Sequence, residues 1–454
     1  MTQIWAEQAL TPEGWQNHVT VTIADSGAIT GVRADTPPAG TRVGCLLPAP
    51  VNAHSHAFQR AMAGLTEARG PDGADSFWTW RKLMFRFLDQ LDPDQVQVIA
   101  AFVQMEMLEA GYATNVEFHY LHHQPDGHPY PFLGEMASRI GAAADQSGIG
   151  LTLLPTFYQH GGCDQRPLGR GQIRFGNDLD GFAALHDASH HAMASGPADW
   201  QMGVALHSLR AVARADIPFA SGLGGGGPIH MHLAEQIAEV EEVEAEWGQR
   251  PVEWALDHLD LDARWSLIHC TQMTRAETAA LARSGATAVL CPITESNLGD
   301  GIFDCVDWMQ NDGRLAIGSD SNIRIALAEE LRVLEYSQRL RDRSRAALAT
   351  PAHSTGRRLF DAMLAGGATA AGRKTGALRS GDWADLLALD LTAPDLAGLS
   401  GDTILDSYVF AGGDGLVSDV WSAGRHMVRA GRHVERDRIT TAYMRAINDL
   451  RAAL

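Results

Sequence analysis

Eight short apolar segments separated by stretches of helical spacing run through residues 46–320, and that alternation limits what the chain can fold into more than any other feature. The segments are LLPAPVNAH (46–54), YATNVEFHY (112–120), GLTLLPTFY (150–158), MGVALHSL (202–209), PIHMHLA (228–234), WSLIHCT (265–271), ATAVLCP (286–292) and RLAIGSD (314–320). A strand–helix rhythm belongs to a parallel sheet. Eight such units predict an α/β fold, a (β/α)8 TIM barrel over residues 48–375. The flanks have a different texture. HVTVTI (18–23) and AITGVRA (28–34) join across Asp25, Ser26 and Gly27, and ADLLALDL (384–391), VSDVWSAG (417–424) and HMVRAGRHV (426–434) repeat that pattern late in the chain. Residues 1–47 and 376–434 are therefore expected to form one small β-sandwich-like satellite domain. Residues 435–454 carry the apolar spacing of an amphipathic helix packed on the outside.

Composition narrows the partners. With 36 Lys+Arg against 55 Asp+Glu, the net charge of −19 repels phosphate backbones, so no nucleic-acid partner is expected. The opening MTQIWAEQAL has neither a basic nor an apolar region of the secretory kind, and no apolar run approaches the roughly 18 residues of a membrane span. The five cysteines are scattered without a CxxC pair, which fits a reducing cytoplasm.

In a barrel of this kind chemistry gathers at the C-terminal ends of the strands, and those ends are rich in histidine. The first segment ends in His54, Ser55 and His56, and the second in His119 and Tyr120. The fourth ends in His207 with Arg210 beyond it, the fifth in His232 with Glu235 three residues on, the sixth in His269 and the eighth in Asp320. His54 and His56, two apart on an extended backbone, point to one side and can share an ion. His232 and Asp320 complete a set of three imidazoles and one carboxylate, which suits zinc or ferrous iron and leaves a position open for water. Other histidines read differently. His18, His186, His190, His191, His258, His353, His426 and His433 are expected on the surface, and His230 in the core or supporting the site. His122, His123 and His128 fall in a polar loop. Cys270 and Cys291 read as small buried residues. EARGPDGADS (67–76) sits where a lid over the barrel mouth or an ordinary surface loop would sit, and SGLGGGG (221–227) is a flexible approach to the fifth strand.

The order HSH, HMHLAEQ, IHC, SDSN between two β-rich ends resembles the amidohydrolase superfamily over essentially the whole chain. The resemblance implies a single ion, because the bridging lysine of the binuclear branch is missing from 202–214, and it assigns the His232–Glu235 pairing to the deaminating branch. NAHSHAFQRAMAG (52–64), EFHYLHH (117–123) and ALHSLRAV (205–212) resemble the formimidoylglutamate deiminases. That implies hydrolysis of N-formimidoyl-L-glutamate to N-formyl-L-glutamate and ammonia in histidine degradation, by a homodimer acting on a small dianion. On this resemblance His54, His56, His232 and Asp320 hold one divalent ion, Zn2+ or alternatively Fe2+. Glu235 passes a proton to the leaving nitrogen, and Asp320 and His269 accept the water's proton. Arg210, with His207 and Tyr120, meets a substrate carboxylate. Arg81 is a second cation, and Gln59 reaches in from the first strand–helix loop. Two competing readings are a deaminase of aminated heterocycles, which needs aromatic walls and no paired arginines, and a non-catalytic barrel scaffold, which has no use for six polar groups at one rim.

Overall fold

A computed structural model describes the backbone of residues 1–67 and 77–453, and the side chains of 1–67 and 83–452. The first four strands, β1 (Thr2–Thr11), β2 (Gly14–Ile23), β3 (Ile29–Arg33) and β4 (Thr41–Pro48), open a mixed sheet. The barrel follows with β5 (Val51–Ser55), β6 (Thr114–His119), β7 (Gly150–Phe157), the two-residue β8 (Gln201–Met202), β9 (Val204–Ser208), β10 (Ile229–Leu233), β11 (Trp265–His269), β12 (Thr287–Leu290) and β13 (Arg314–Ile317). The chain then returns to the first sheet with β14 (Leu386–Leu389), β15 (Val417–Ser422), β16 (Arg425–Arg429) and β17 (Arg432–His433).

Every residue of β5, β6, β7, β10, β11 and β12 is buried. Parallel strands covered on both faces are expected to be apolar almost without interruption, and this is why the eight segments could be read from the sequence. Their order around the barrel is their order in the chain. The seam closes at the rim: Ser55 bridges Asp320, the amides of Ser319 and Asp320 donate to the His54 carbonyl (3.1 and 2.9 Å), and the His56 amide donates to the Asp320 carbonyl (3.0 Å). First and last strands thus meet at residues the sequence marked for chemistry.

The segment read as one strand over 46–54 is two. Pro48 and Pro50 lack an amide hydrogen and cannot continue a ladder in mid-sheet. β4 pairs with β1 and β14 in the satellite sheet, and β5 with β6 in the barrel. Two residues, Ala49 and Pro50, carry the chain from one sheet to the other.

The satellite is one eight-stranded sheet, ordered β17-β16-β15-β14-β4-β1-β2-β3, with its own core of Ile4, Val19, Val21, Ile29, Leu46, Leu386 and Trp421. Its attachment to the barrel includes buried ions. The fully buried Arg373 guanidinium donates to Asp385 (2.9 and 3.1 Å) and to Asp199 (3.0 Å), which also receives Arg425 (2.7 and 2.8 Å). The closing helix, Arg436–Ala453, lies against helix Pro93–Ala110, with Tyr443 stacked on Phe102 at 3.8 Å. The glycine-rich stretch 221–227 ends helix Ile217–Gly222 and enters the start of β10, at the face of the barrel opposite the histidine-rich rim. It therefore has no part in the site.

Candidate active site

The rim is built from backbone that ordinary residues avoid. Ala234, His269, Cys270, Asp320 and Asn322 all have φ between +47° and +71°, a region in which L side chains are strained. Hydrogen bonds hold these turns: Cys270 N to Leu233 O (3.1 Å), Gln272 N to Ala234 O (2.9 Å) and Asn322 N to Ser319 O (3.0 Å). A polar chain lies beneath them. The Asn52 amide donates to Ser319 Oγ (2.6 Å), that hydroxyl to Asn322 Oδ1 (2.6 Å), and the Asn322 amide to Ser55 Oγ (3.1 Å). This chain spans the barrel seam and fixes both sides of it.

On this frame His54, His56, His232 and Asp320 converge as the sequence predicts, all buried, with one ligand atom from each within 4.8 Å of the others. His54 Nε2 is 3.1 Å from His232 Nε2 and 3.3 Å from Asp320 Oδ1, and His56 Nε2 is 3.3 Å from the same oxygen. Four donors around zinc at bond lengths of about 2.0–2.1 Å are separated by about 3.3 Å along a tetrahedron's edge, so the spacing fits a single ion. Tautomers agree. His56 Nδ1 donates to Phe118 O (3.0 Å) and His232 Nδ1 to His207 O (2.8 Å), which turns both Nε2 lone pairs inward. Burial keeps these imidazoles neutral, as a metal ligand must be: His54 is lowered to about 3 and His232 well below the usual range. Burial alone would raise Asp320, but the His54 hydrogen bond and the imidazoles of His54, His56 and His269 outweigh it and hold the carboxylate ionised.

A cavity opens above the cluster. Its wall includes the other residues given a part in the reaction whose side chains are described: Gln59, Tyr120, His207, Arg210, Glu235 and His269. Gln59 Nε2 donates to the Tyr120 hydroxyl (2.8 Å). Glu235 is presented by a loop whose amides, Ala234 and Glu235, donate to Glu239 (3.2 and 2.9 Å). Burial raises the Glu235 carboxyl, His269 opposes that, and Asp320 and Glu239 add to it. For His269 burial acts downward, but Glu235, Glu295 and Asp320 together hold the imidazole well above its ordinary value; a divalent ion bound at Asp320 would oppose them and favour the neutral ring that can accept a proton. Burial likewise works against charge on Arg210, and Glu239 and Glu235 more than compensate. Arg210 Nε is buried and has no hydrogen-bond partner among the described residues. Arg81 falls in helix Phe77–Leu88, but its side chain lies outside the described residues. So do positions 68–76 of the expected lid.

Two expectations need correction, at His119 and His433, while His230, His122 and His123 fall where they were expected. His119 is not in the cavity wall. Its neighbour Tyr120 takes that place, and the His119 ring faces His122 at 5.1 Å. His433, expected on the surface, is buried and hydrogen-bonded to Ser147 O (2.8 Å), because its hairpin end packs on the helix ending there. His230 is a core residue, bonded to Ala370 O (2.8 Å). His122 and His123 order their loop through Thr156 O and Asn177 Oδ1 (both 3.0 Å). The sequence reading missed the apolar wall of Met84, Tyr158, Phe175 and Leu298, and Phe118, whose ring lies 4.4 Å from that of His232. It also missed Glu295, 3.2 Å from His269 Nδ1.

Known proteins share this architecture. Residues 45–427 match the amidohydrolase family, and residues 1–42 match the family described as formimidoylglutamate deiminase HutF, N-terminal domain. The chain is 46% identical to the formimidoylglutamate deiminase of Pseudomonas aeruginosa, over 99% of this chain and 100% of that protein. A crystal structure of an amidohydrolase from Brucella melitensis superposes with a TM-score of 0.95 at 45% identity, covering 99% of this chain and 100% of that one. A zinc-bound adenosine deaminase from Xanthomonas campestris shares the fold, with a TM-score of 0.82 at 21% identity over 99% and 98% of the two chains.

Proposed function

The chain belongs to the amidohydrolase family and, within it, to the formimidoylglutamate deiminases, and from that premise we propose how the rim residues divide the reaction. The enzyme hydrolyses a carbon–nitrogen bond of a linear amidine: N-formimidoyl-L-glutamate and water give N-formyl-L-glutamate and ammonia. His54, His56, His232 and Asp320 hold one divalent ion, zinc by its fit to this nitrogen-rich set, with ferrous iron the other candidate. Such an ion supplies Lewis acidity, which lowers the pKa of water from about 15.7 towards 7.

The remaining work falls to the chain's own side chains. Asp320 and His269, 4.0 Å apart across the rim, accept the proton that water gives up. Glu235 lies 3.8 Å from His269 Nε2. It hydrogen-bonds the terminal formimidoyl nitrogen and hands it a proton, so that nitrogen leaves as ammonia while the glutamate-bearing nitrogen stays. Arg210 takes a substrate carboxylate with His207 and Tyr120 as co-donors, Gln59 orders Tyr120, and Arg81 is the second cation. Aromatic rings line the cavity, as a heterocycle deaminase would also need, so the wall does not separate the two readings. The buried guanidinium of Arg210 does, since a neutral ring has no use for it. That residue, lining the same cavity as Glu235, is the observation that carries the assignment.

The purified enzyme should release ammonia from formimidoylglutamate far faster than from guanine, cytosine or adenosine, with one ion per chain by elemental analysis. Preference for a heterocycle would overturn the substrate, and two ions per chain would overturn the ligand set. Full activity without metal would overturn the mechanism. The resemblance also supports a homodimer in the cytoplasm, which light scattering and cell fractionation would check.

A further inference from the structure

The seventh barrel strand sends no polar side chain of its own into the cavity. The chain turns at Pro292 into the short helix Pro292–Leu298 and places Glu295 behind His269. We propose that Glu295 is a positioning residue for proton transfer, fixing His269 with its Nδ1–H turned to the carboxylate and its Nε2 turned to the reacting atoms. The inference rests on the role given to His269 above.

The geometry is closed on three sides. Glu295 Oε1 accepts from the Cys291 amide (2.8 Å), and the Glu295 amide donates to Cys291 O (2.8 Å), so the carboxylate is anchored from its own helix. The same oxygen lies 3.2 Å from His269 Nδ1. The opposite ring nitrogen, Nε2, then lies 3.8 Å from Glu235 Oε1 and 4.0 Å from Asp320 Oδ2, between the two carboxylates that exchange protons with substrate and water. The His269 backbone cannot secure this alone, because both it and Cys270 are in left-handed conformations (φ +71° and +52°). A buried carboxylate behind an imidazole selects its tautomer, fixes the ring plane and stabilises the imidazolium formed on proton uptake. His269, Cys291 and Glu295 also lie within 4.8 Å of one another. They do not make a second metal site, since burial keeps the Cys291 thiol protonated and Glu295 Oε1 is already engaged.

Glu295→Gln keeps the shape and the acceptor oxygen but removes the charge. It should lower kcat about 10–100-fold with KM within about threefold and unchanged metal content. In a His269→Asn background the same substitution should change kcat by less than about twofold, because its effect runs through the imidazole. Independently of any variant, 15N spectroscopy of the histidine-labelled enzyme should find Nδ1 of His269 protonated. Wild-type turnover by Glu295→Gln, an equal loss in the His269→Asn background, or an unprotonated Nδ1 would each overturn the inference. Near-normal turnover by His269→Asn would instead overturn the role of His269, and absence of ammonia release by the wild type would overturn the function.

Discussion

Glu235 and Arg210 line one cavity wall but should fail in different ways when altered. Glu235 is buried, its carboxyl is raised, and it is not one of the four converging donors. Glu235→Gln preserves volume and most hydrogen bonding, so the metal content should be unchanged, while loss of the proton donor should cost at least about 100-fold in kcat. Metal loss in that variant would show Glu235 to be a ligand. Arg210→Met should instead damage kcat/KM with the metal retained, because a buried carboxylate deprived of its partner loses roughly 2–5 kcal/mol. Lysine should rescue only in part, since a point charge does not reproduce the planar fork. An analogue with its α-carboxylate converted to an amide gives the control. Wild type should discriminate acid from amide strongly and Arg210→Met much less, and equal ratios would pass the role to Arg81.

At the scale of strands and helices, what the sequence revealed and what it hid have separate physical causes. Parallel strands buried on both faces leave unbroken apolar runs, and a polar residue at the end of such a run stands out; this exposed His54, His56, His207, His232, His269 and Asp320. The same signal could not say which of His119 and Tyr120 faces the cavity, because neighbours in a strand alternate and both are polar enough to end one. Glu295 was hidden because it reaches His269 from a helix beyond the seventh strand, a contact between segments 26 residues apart. The ion cluster joining the satellite sheet to the barrel was hidden likewise, since Asp199, Arg373, Asp385 and Arg425 are remote in sequence and each alone reads as a surface charge. Its burial makes a definite prediction. Arg373→Met leaves the buried Asp385 without its cation and Asp199 with Arg425 alone, and should destabilise the protein by about 3–5 kcal/mol in urea unfolding. Replacement at an exposed cation such as Arg275, whose pair with Asp307 spans 3.4 Å with Arg275 largely in solvent, should cost less than about 1 kcal/mol. Equal effects would mean that the cluster is not the clamp its burial implies.

For the molecule as a whole, the ligand set and the barrel closure are one feature. Successive strands elsewhere in the barrel share ladders, four register pairs between β12 and β13 for instance, whereas the seam between β5 and β13 has the single bridge Ser55–Asp320 and the hydrogen bonds around it. His54 and His56 lie on one side of that seam, Asp320 on the other, and His232 on β10. An ion bound to all four therefore ties the seam shut, as well as serving the reaction. Anything that binds the folded chain alone stabilises it, by about 2.7 kcal/mol at a hundredfold excess over Kd. Chelation should accordingly lower Tm, and restoring zinc should recover it. The loss should also be local. Without the ion, the ring nitrogens of His54 and His232, 3.1 Å apart, and the Asp320 carboxylate, 3.3 Å from His54 and His56, lose the partner they share. Hydrogen exchange should then accelerate at residues 51–56 and 314–322 while the satellite sheet, including Val19 and Val21, keeps its wild-type protection. An unchanged Tm would show that the polar chain from Asn52 to Ser55 holds the seam unaided. Uniform acceleration across barrel and satellite would show that the ion stabilises the chain globally, without a special role at the seam.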